Sequence, residues 1–353
     1  MGSLKGHFEN TAWHIAVNPN SGKWSVLTKN LFADRTWVVQ VPRGKSILIE
    51  WATFALVTWA WLTRRRSVKF DLVNIHITYP LGIRVKMLRR MFGVPVVFTE
   101  HWSAYHYSFR SKSKGLERTR AMFRHGVPLI CVSASLLNDI EDFSGAKQHQ
   151  VAIIDNVAES EVFYFDPESS PQEGRFLAIS GWRHPKRPDL LIRMIALLRD
   201  SGINAHLRLG GDGPQMEAIK AAIVELGLET RVTLLGRLGP SEVAKEIRQA
   251  HAFLHPSEYE TYSAVCAESL CCGTPVLASD VGGVGEYLAQ APGSALVPAH
   301  DAHVWKQALM ANWSRMLSVD RRSVSRYMLA RASPEMVGKR YSDFLKQILA
   351  GRG

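Results

Sequence analysis

Short apolar runs alternate with amphipathic segments along most of this chain, and the alternation predicts strands and helices in turn. In the first half, strands are predicted at 71–77, 95–99, 129–133 and 151–154, with helices at 83–91 and ending near 143. In the second half, strands are predicted at 175–179, 206–209, 232–235, 252–254 and 276–279. Because strands that alternate with helices form right-handed βαβ units, the sequence predicts parallel sheets in an α/β fold.

The beginning of the chain follows this pattern less well. Residues 4–17 predict a helix, with apolar residues along one side at Phe8, Ala12, Ile15 and Ala16. A turn is predicted at 18–22, and strands are predicted at 24–28 and 37–40. An α/β domain is expected to begin with a buried strand, so we expect the first strand of this domain to be absent or to depart from the pattern.

The segment Ser46–Leu62 is strongly apolar, is interrupted only by Glu50, and is followed at once by Arg64, Arg65 and Arg66. Three interpretations fit this pattern. The favoured one is a buried helix of the domain, because the segment is just short of the ~30 Å hydrocarbon core and contains a charge. An interfacial helix with a basic flank is the second, supported by the tryptophans at positions 51, 59 and 61, and a membrane span is the third.

The chain of 353 residues is long enough for two domains, each with its own core. A segment rich in proline, serine and acidic residues at 165–174 predicts a linker. We therefore expect one domain over residues 1–165 and a second over 166–332. The tail, 333–353, is expected to form an amphipathic helix that packs back on the first domain.

The net charge of +11 is concentrated in the first half of the chain. Residues 1–165 hold 21 Lys and Arg against 12 Asp and Glu, whereas the remainder holds 22 against 20. This distribution favours an anionic partner such as a phospholipid surface or a lipid pyrophosphate. No nucleic-acid-binding motif accompanies it, so nucleic acid is not expected as a partner. The four cysteines form no C-x-x-C pair, and with no signal peptide visible we expect a cytoplasmic protein.

The most informative stretch is 255–286, which reads HPSEYETYSAVCAESLCCGTPVLASDVGGVGE. Glu260 precedes a predicted helix that ends at Cys272-Gly273, and Glu268 lies inside that helix. The backbone N–H groups near the helix start have no partner within the helix and can hold an anion; these are the groups of Thr261, Tyr262 and Ser263. Two carboxylates for hydroxyl groups and a positive helix end for phosphate suit a sugar nucleotide.

The E-x7-E pattern between P-S and C-G-T-P-V, followed by a G-G-x-x-E turn, resembles the donor site of retaining glycosyltransferases of family 4, which have the GT-B fold. The resemblance implies two Rossmann-like, doubly wound domains facing a cleft, with the acceptor side in the first domain and the donor site in the second. It also implies transfer of a sugar from a nucleotide diphosphate sugar to a hydroxyl with retention. Glu268 would then hold the ribose and Glu260 would contact the donor sugar.

The same resemblance extends to other turns. The turn at 180–189 is similar to the family's G-R…K-G-x-D-x-L pattern, so Lys186, with Arg183 as the candidate guanidinium, would stabilise the leaving diphosphate. The glycine turns after two strands would approach the base, at Gly211, Asp212, Gly236 and Arg237. The run 99–103 resembles a loop that faces the donor sugar, which makes His101 a catalytic candidate. The acceptor side would include Gly6, His76 and Glu100.

No D-x-D occurs in the chain, so we expect neither a metal site nor a cofactor beyond the nucleotide diphosphate sugar as co-substrate. The expected acceptor is lipid-linked or a glycan, as in polysaccharide, lipopolysaccharide or cell-envelope biosynthesis. We expect the protein to be peripheral at the inner face of the plasma membrane, bound to its anionic surface. Two alternatives stay open: a catalytically inactive subunit that binds sugar nucleotides, and a nucleotide-sugar epimerase of the same architecture.

Overall fold

The computed structural model describes residues 13–20, 25–29, 35–42, 46–64, 71–109 and 116–351. The chain divides into two compact units. The first unit contains the residues up to Ile154 together with those from Val337 onwards, and the second unit contains Asp155–Met336. The segment predicted as a linker, 165–174, therefore lies inside the second unit.

The first unit begins with a three-stranded sheet formed by β1 (Trp13–Asn20), β2 (Ser25–Lys29) and β3 (Arg35–Pro42). β3 lies in the middle, parallel to β1 and antiparallel to β2. The predicted helix over 4–17 is therefore wrong from Trp13 onwards, and the predicted turn is wrong at 18–20. Hydrogen bonding to β3 determines the conformation here, and the apolar residues at 13, 15 and 17 alternate with the two-residue period of a strand. Residues 4–12, including Gly6, lie outside the described residues.

Helix α1 (Ser46–Arg64) follows this sheet. Thr53 is buried, whereas Trp51 (45% exposed), Ala55, Trp59 (57% exposed) and Leu62 (49% exposed) face away from the core. Because these four residues are three or four positions apart, they form one apolar stripe along the helix. Within the described part of the chain, we find no helix that is both long and apolar enough to cross a membrane.

The rest of the first unit contains a parallel sheet of four strands with helices between them. In chain order the elements are β4 (Val73–His76), α2 (Val85–Phe92), β5 (Val96–Glu100), α3 (Glu117–Phe123), β6 (Leu129–Cys131), α4 (Ala134–Ser144) and β7 (Val151–Ile153). The strands lie in the order in which they occur. All the strands and helices predicted for residues 71–154 are present, with ends that differ by a few residues.

The second unit contains one parallel sheet of six strands, again alternating with helices. Its elements are β8 (Arg175–Gly181), α5 (Pro188–Asp200), β9 (His206–Asp212), α6 (Met216–Glu225), β10 (Val232–Gly236), α7 (Pro240–Gln249), β11 (Ala252–His255), α8 (Ala264–Cys271), β12 (Val276–Ser279), α9 (Val284–Leu288), β13 (Ala295–Val297), α10 (Ala302–Ser318) and α11 (Arg321–Ala332). The strand order is β10-β9-β8-β11-β12-β13, which is that of a doubly wound Rossmann-like fold. The order reverses between β8 and β11, and ligands of such sheets bind beyond the carboxyl ends of the strands at this point.

The final helix, α12 (Pro334–Ala350), supplies part of the core of the first unit. Its residues Val337, Tyr341, Phe344 and Leu345 recur at helical spacing and are all buried. They form one apolar cluster with Val97 of β5, Ile130 of β6 and Ile154. The four-stranded sheet of the first unit, β4 to β7, is therefore covered on one face by residues from the far end of the chain.

Candidate functional site

A cavity of about 740 Å³ lies at the carboxyl ends of β8 and β11, where the strand order of the second unit reverses. Besides Glu159, its lining contains six charged side chains from several loops and from helix α8, namely Arg183, Lys186, Asp212, Arg237, Glu260 and Glu268. These six residues were all predicted as site residues from the sequence, and the structure brings them to one cavity. Its position is the one that the topology of the sheet favours for a ligand.

The glycine turn after β12 fixes the backbone of Glu260. The Gly283 N–H donates to the carbonyl oxygen of Glu260 at 2.9 Å. Gly282 has φ +52°, and a Cβ atom at this position would lie 1.8 Å from the same oxygen. No other residue therefore fits at position 282 without moving the loop that carries Glu260.

The Glu260 carboxylate has two partners on the same oxygen. Oε1 contacts the Lys186 ammonium, and the Nε2 atom of His255 lies 2.6 Å from it. An antiparallel β-bridge between Lys186 and Ser257 places the lysine beside this loop. Burial lowers the pKa of Lys186 to about 8. Burial, with the charge of Lys186 adding to it, holds the pKa of His255 well below its usual range, so this imidazole is neutral at pH 7.

Sequence reasoning missed His255 as a site residue. It is buried at the end of β11, a position where a histidine carries no motif of its own. Its place at the carboxyl end of an apolar strand was the available signal, since ligands of parallel sheets bind beyond these ends. Only the geometry shows that its ring reaches Glu260.

Ser263 precedes α8 in a left-handed conformation with φ +68°. Its hydroxyl lies 3.1 Å from His255 Nε2 and donates to the Cys266 sulfur at 3.2 Å. Its carbonyl oxygen accepts from the Tyr287 hydroxyl at 3.1 Å. A non-glycine residue in this region of φ costs about 1–3 kcal/mol, so the surrounding contacts hold Ser263 in place.

The start of α8 differs from the prediction. The helix begins at Ala264, so the N–H groups without partners inside it are those of Ser263–Cys266 rather than those of Thr261 and Tyr262. Ser263, Ala264 and Val265 line the cavity. The Tyr262 side chain is buried instead, with its ring centroid 5.1 Å from that of Tyr287. The helix start that was predicted to bind an anion lies at the cavity, but farther along the chain than predicted.

Glu268 lies in the second turn of α8 and faces the cavity. Burial, with the charge of Glu159 adding to it, raises the pKa of its carboxyl to about 7. This carboxylate therefore exchanges its proton close to neutral pH, unlike an exposed glutamate.

The carboxyl ends of β8 and β9 approach each other closely at two places. The Trp182 N–H donates to the carbonyl oxygen of Asp212 at 3.0 Å. Gly211 has φ +101°, and a Cβ atom there would lie 1.9 Å from the Ser180 carbonyl oxygen. The two turns place Arg183 and Asp212 at the cavity, where the Asp212 carboxylate accepts from Arg237 Nε at 3.1 Å. Gly236 has φ +66° at the end of β10 and does not line the cavity.

The remaining predicted residues lie in the first unit, at the ends of β4 and β5. His76 and His101 stack, with ring centroids 5.7 Å apart and ring planes at 10°. Glu100 is completely buried, and its Oε1 atom accepts from the Thr78 N–H at 2.7 Å, from the Tyr105 hydroxyl at 2.6 Å and from the Thr78 hydroxyl. Burial raises the pKa of Glu100 against these hydrogen bonds. The side chain of this predicted acceptor-side residue therefore points into the protein.

A search for groups of three or more His, Cys, Asp or Glu side chains that could hold a metal ion finds none among the described residues. All four cysteines are buried thiols without disulfide bonds.

Comparisons with solved structures agree with this fold. Sucrose-phosphate synthase from Thermosynechococcus elongatus aligns with a TM-score of 0.77 at 20% identity, covering 99% of this chain and 92% of that one. HepE of Anabaena in complex with UDP-glucose aligns with a TM-score of 0.68 at 16% identity, covering 88% of this chain and 86% of that one. The fold of two parallel-sheet α/β domains is that of the GT-B glycosyltransferases.

Comparisons at the level of sequence define the family. The profile described as Glycosyl transferases group 1 matches residues 163–312, and that described as Glycosyltransferase Family 4 matches residues 29–162. The chain therefore belongs to the group 1 glycosyltransferases of family 4.

Two curated relatives show how far the likeness extends. The chain is 27% identical over 272 residues to the D-inositol 3-phosphate glycosyltransferase of Corynebacterium glutamicum, covering 70% of this chain and 65% of that protein. It is 28% identical over 203 residues to the phosphatidylinositol N-acetylglucosaminyltransferase gpi3 subunit of Schizosaccharomyces pombe, covering 56% of this chain and 44% of that protein. The matched region thus spans less than two thirds of the length of these relatives.

Proposed function

We propose that this chain transfers a sugar from a nucleoside diphosphate sugar to a hydroxyl group of an acceptor, with retention of the anomeric configuration. The observation that carries the proposal is the cavity of the second unit, where Lys186 and Arg183 lie with Glu260 and Glu268 at the start of a helix. Cations and a helix end suit the diphosphate, and carboxylates suit the hydroxyl groups of ribose and sugar. The fold shared with HepE in complex with UDP-glucose supports a donor of this class.

In this proposal, the bond between the anomeric carbon and the diphosphate breaks while the acceptor oxygen bonds to that carbon and releases its proton to solvent. Negative charge then develops on the leaving diphosphate. The start of α8 contributes ~0.3–2 kcal/mol per charge, so Lys186 and Arg183 must carry the larger share. Glu268 binds the ribose hydroxyls and Glu260 contacts the donor sugar. His101, in the first unit, stays a predicted catalytic residue on the family resemblance alone.

We further propose that transfer requires no metal ion, because the two cations of this chain can offset the charge of the diphosphate. The test is turnover in a chelator such as EDTA. Activity retained in EDTA supports the proposal. Complete loss that is restored by magnesium or manganese contradicts it.

The proposed acceptor is a lipid-linked or glycan hydroxyl reached at an anionic membrane surface. The stripe of Trp51, Ala55, Trp59 and Leu62 on α1 supports this proposal, because aromatic residues favour the interface between lipid and water. The sequence continues with three arginines at 64–66, and each basic residue near an anionic leaflet contributes about 1 kcal/mol. The relative from Schizosaccharomyces pombe is named for a phosphatidylinositol acceptor, which agrees with a lipid.

The activity is tested by incubating the protein with a mixed pool of nucleotide sugars that includes UDP-glucose, and by measuring released nucleoside diphosphate with mixed lipid and glycan acceptors. Release above a Lys186→Ala control supports transfer. A protein that binds nucleoside diphosphate in calorimetry but releases none is the inactive subunit considered from the sequence. Conversion of one nucleotide sugar into another, without release, indicates an epimerase.

Membrane binding is tested by sedimentation with anionic and with neutral vesicles at low and high salt. We expect binding to anionic vesicles that high salt weakens. Trp59→Ser and Arg64→Glu/Arg65→Glu should each release the protein. The matched control is Arg193→Glu/Arg326→Glu, which changes two exposed arginines of the second unit and should leave binding intact. A protein that stays in the supernatant with both vesicle types at low salt contradicts this part of the proposal.

A further inference from the structure

We propose that His255 is a positioning residue that keeps the Glu260 carboxylate oriented in the cavity when Lys186 turns to the diphosphate of the donor. The inference rests on the proposed sugar transfer, which assigns Lys186 and Glu260 to different parts of the donor. In the structure the two side chains contact each other. They must therefore separate, at least in part, when a donor binds.

The geometry at Glu260 shows what happens to the carboxylate at that moment. Only about 14% of the Glu260 side chain is exposed, so solvent is a poor replacement for a lost ion pair. His255 Nε2 lies 2.6 Å from the same oxygen that contacts Lys186. Because the imidazole is neutral, it can donate one N–H to a carboxylate without adding a charge that competes for the diphosphate. His255 thus provides the hydrogen bond that remains.

The ring of His255 is suited to hold a fixed position. It lies at the end of a strand in the middle of the sheet, it is only 3% exposed, and it stacks on Phe253 with ring centroids 6.2 Å apart. A donor on such a ring has few rotamers to lose when it forms a hydrogen bond. Lys186 is different, because its long flexible chain allows the ammonium to move from Glu260 to a phosphate oxygen.

The backbone conformation of Ser263 gives independent support for a role of His255. Glycine adopts a φ of +68° without cost, whereas serine is strained there. The serine hydroxyl lies 3.1 Å from the same His255 Nε2 atom. The contact with His255 explains why serine occupies a position where the backbone conformation favours glycine. Ser263 and Glu260 therefore both contact the imidazole at Nε2.

The first test compares His255→Leu with His255→Gln. Leucine removes the donor and keeps the position apolar, whereas the amide of glutamine restores an N–H donor. We expect His255→Leu to lower kcat about tenfold or more, with the Kd of uridine diphosphate changed less than about twofold, and His255→Gln to recover a large part of kcat. His251→Leu is the matched control, because His251 is also buried and hydrogen-bonded but contacts Trp313 and Gly174 and does not line the cavity. It should change stability without this effect on kcat.

The second measurement uses the wild-type protein, so it is independent of whether a variant folds. The ring nitrogens of His255 are observed by NMR of protein labelled in histidine, with and without uridine diphosphate. We expect a neutral ring protonated at Nε2 in both states. Loss of the Nε2 proton signal on binding overturns the inference, as does an unchanged kcat in a folded His255→Leu variant. In both cases sugar transfer by the wild type still stands, whereas a wild type that transfers no sugar overturns the proposed function as well.

Discussion

Glu100 is the last residue of a parallel strand in the first unit, and Glu260 lies in the loop after a parallel strand in the second unit. The surroundings of the two carboxyl groups differ in almost every respect. Glu100 ends β5, is fully buried and receives three hydrogen bonds on one oxygen. Glu260 follows β11, lines a cavity, and shares one oxygen between Lys186 and His255. Neutral donors surround the first carboxyl, and a cation stands beside the second.

The difference shows how two carboxyl groups at strand ends acquire separate tasks. A buried carboxyl without a cation has a raised pKa and serves as a hub for neutral hydrogen bonds, here the turn that contains Thr78 and the ring of Tyr105. A carboxylate beside a cation keeps its charge and can exchange that partner for a ligand. A strand end alone does not place a carboxyl group at a site, and at Glu260 the cavity and the neighbouring cation together decide what the group does.

The largest effect on activity is expected from the removal of Lys186, the cation beside Glu260. Lys186→Ala should lower the rate of transfer by at least ~100-fold, the scale of losing one contact to charge in the transition state. Arg187→Ala is a suitable control, because Arg187 binds Glu258 and Asp189 and does not line the cavity. Steady-state kinetics check this. Equal losses in both variants would show that the whole basic turn matters rather than Lys186.

The next effect concerns binding of the nucleotide. Glu268→Gln should weaken the binding of uridine diphosphate more than Glu260→Gln does, because a charge-assisted hydrogen bond to the ribose is worth ~1.5–3 kcal/mol. The affinity of the wild type should also fall as the pH drops through about 7, where the Glu268 carboxylate gains its proton. Calorimetry across this pH range measures both. Unchanged affinity in the Glu268 variant would remove Glu268 from the ribose site.

Substitution of Glu100 is expected to change the stability of the protein more than substitution of Glu260 does, the reverse of the order expected for activity. Glu100→Ala leaves the Thr78 N–H and the Tyr105 hydroxyl without their acceptor, at a cost of about 1–3 kcal/mol for each buried group. Glu100→Gln keeps an acceptor oxygen of similar shape and should be far milder. Urea denaturation gives both values. Glu260→Gln should lower activity with little change in the urea midpoint, and the comparison fails if Glu100→Ala is as stable as the wild type.

The smallest expected effect is a pH-dependent change in thermal stability. The folded pKa of Glu268, about 7, lies above the usual glutamate value of 4.5, so the folded state binds this proton more tightly than the unfolded state does. The contribution of Glu268 to stability is therefore most favourable below pH 4.5 and is lost as the pH rises through 7. Glutamine cannot bind this proton, so the Tm of Glu268→Gln should rise relative to that of the wild type as the pH is raised from 5 to 8. Each kcal/mol of relative stability gained corresponds to about 2–4 °C in Tm. A Tm difference that does not vary with pH contradicts this account.

The sequence predicted five of the six strands of the second unit, because apolar runs such as 175–179, 206–209 and 252–254 are short and bounded by turn residues. The short strand Ala295–Val297 was missed, since three residues give too little periodicity. At the other end of the chain, Trp13–Asn20 was predicted as a helix and a turn. Its strand conformation depends on pairing with Arg35–Pro42, a partner that local pattern does not reveal.

The sequence predicted the charged residues of the site, but it did not predict His255 or the residue at which helix α8 begins. Motif spacing identified Glu260, Glu268 and Lys186, because these residue types are tied to the turns and the helix that carry them. His255 was missed because its role depends on a distance across a loop. The shift of the helix start to Ala264 follows from the left-handed conformation of Ser263, which nothing in the residue type predicts.

Helix α12 has a consequence for the order in which the protein forms. The apolar cluster of the first unit contains Val337, Tyr341, Phe344 and Leu345 alongside Val97 and Ile130. A ribosome makes the whole second unit, Asp155–Met336, before it makes these four residues. During synthesis the second unit can therefore complete its core first, while the sheet of the first unit keeps an apolar face uncovered until α12 arrives. Folding on the ribosome is thus expected to run against the order of the sequence.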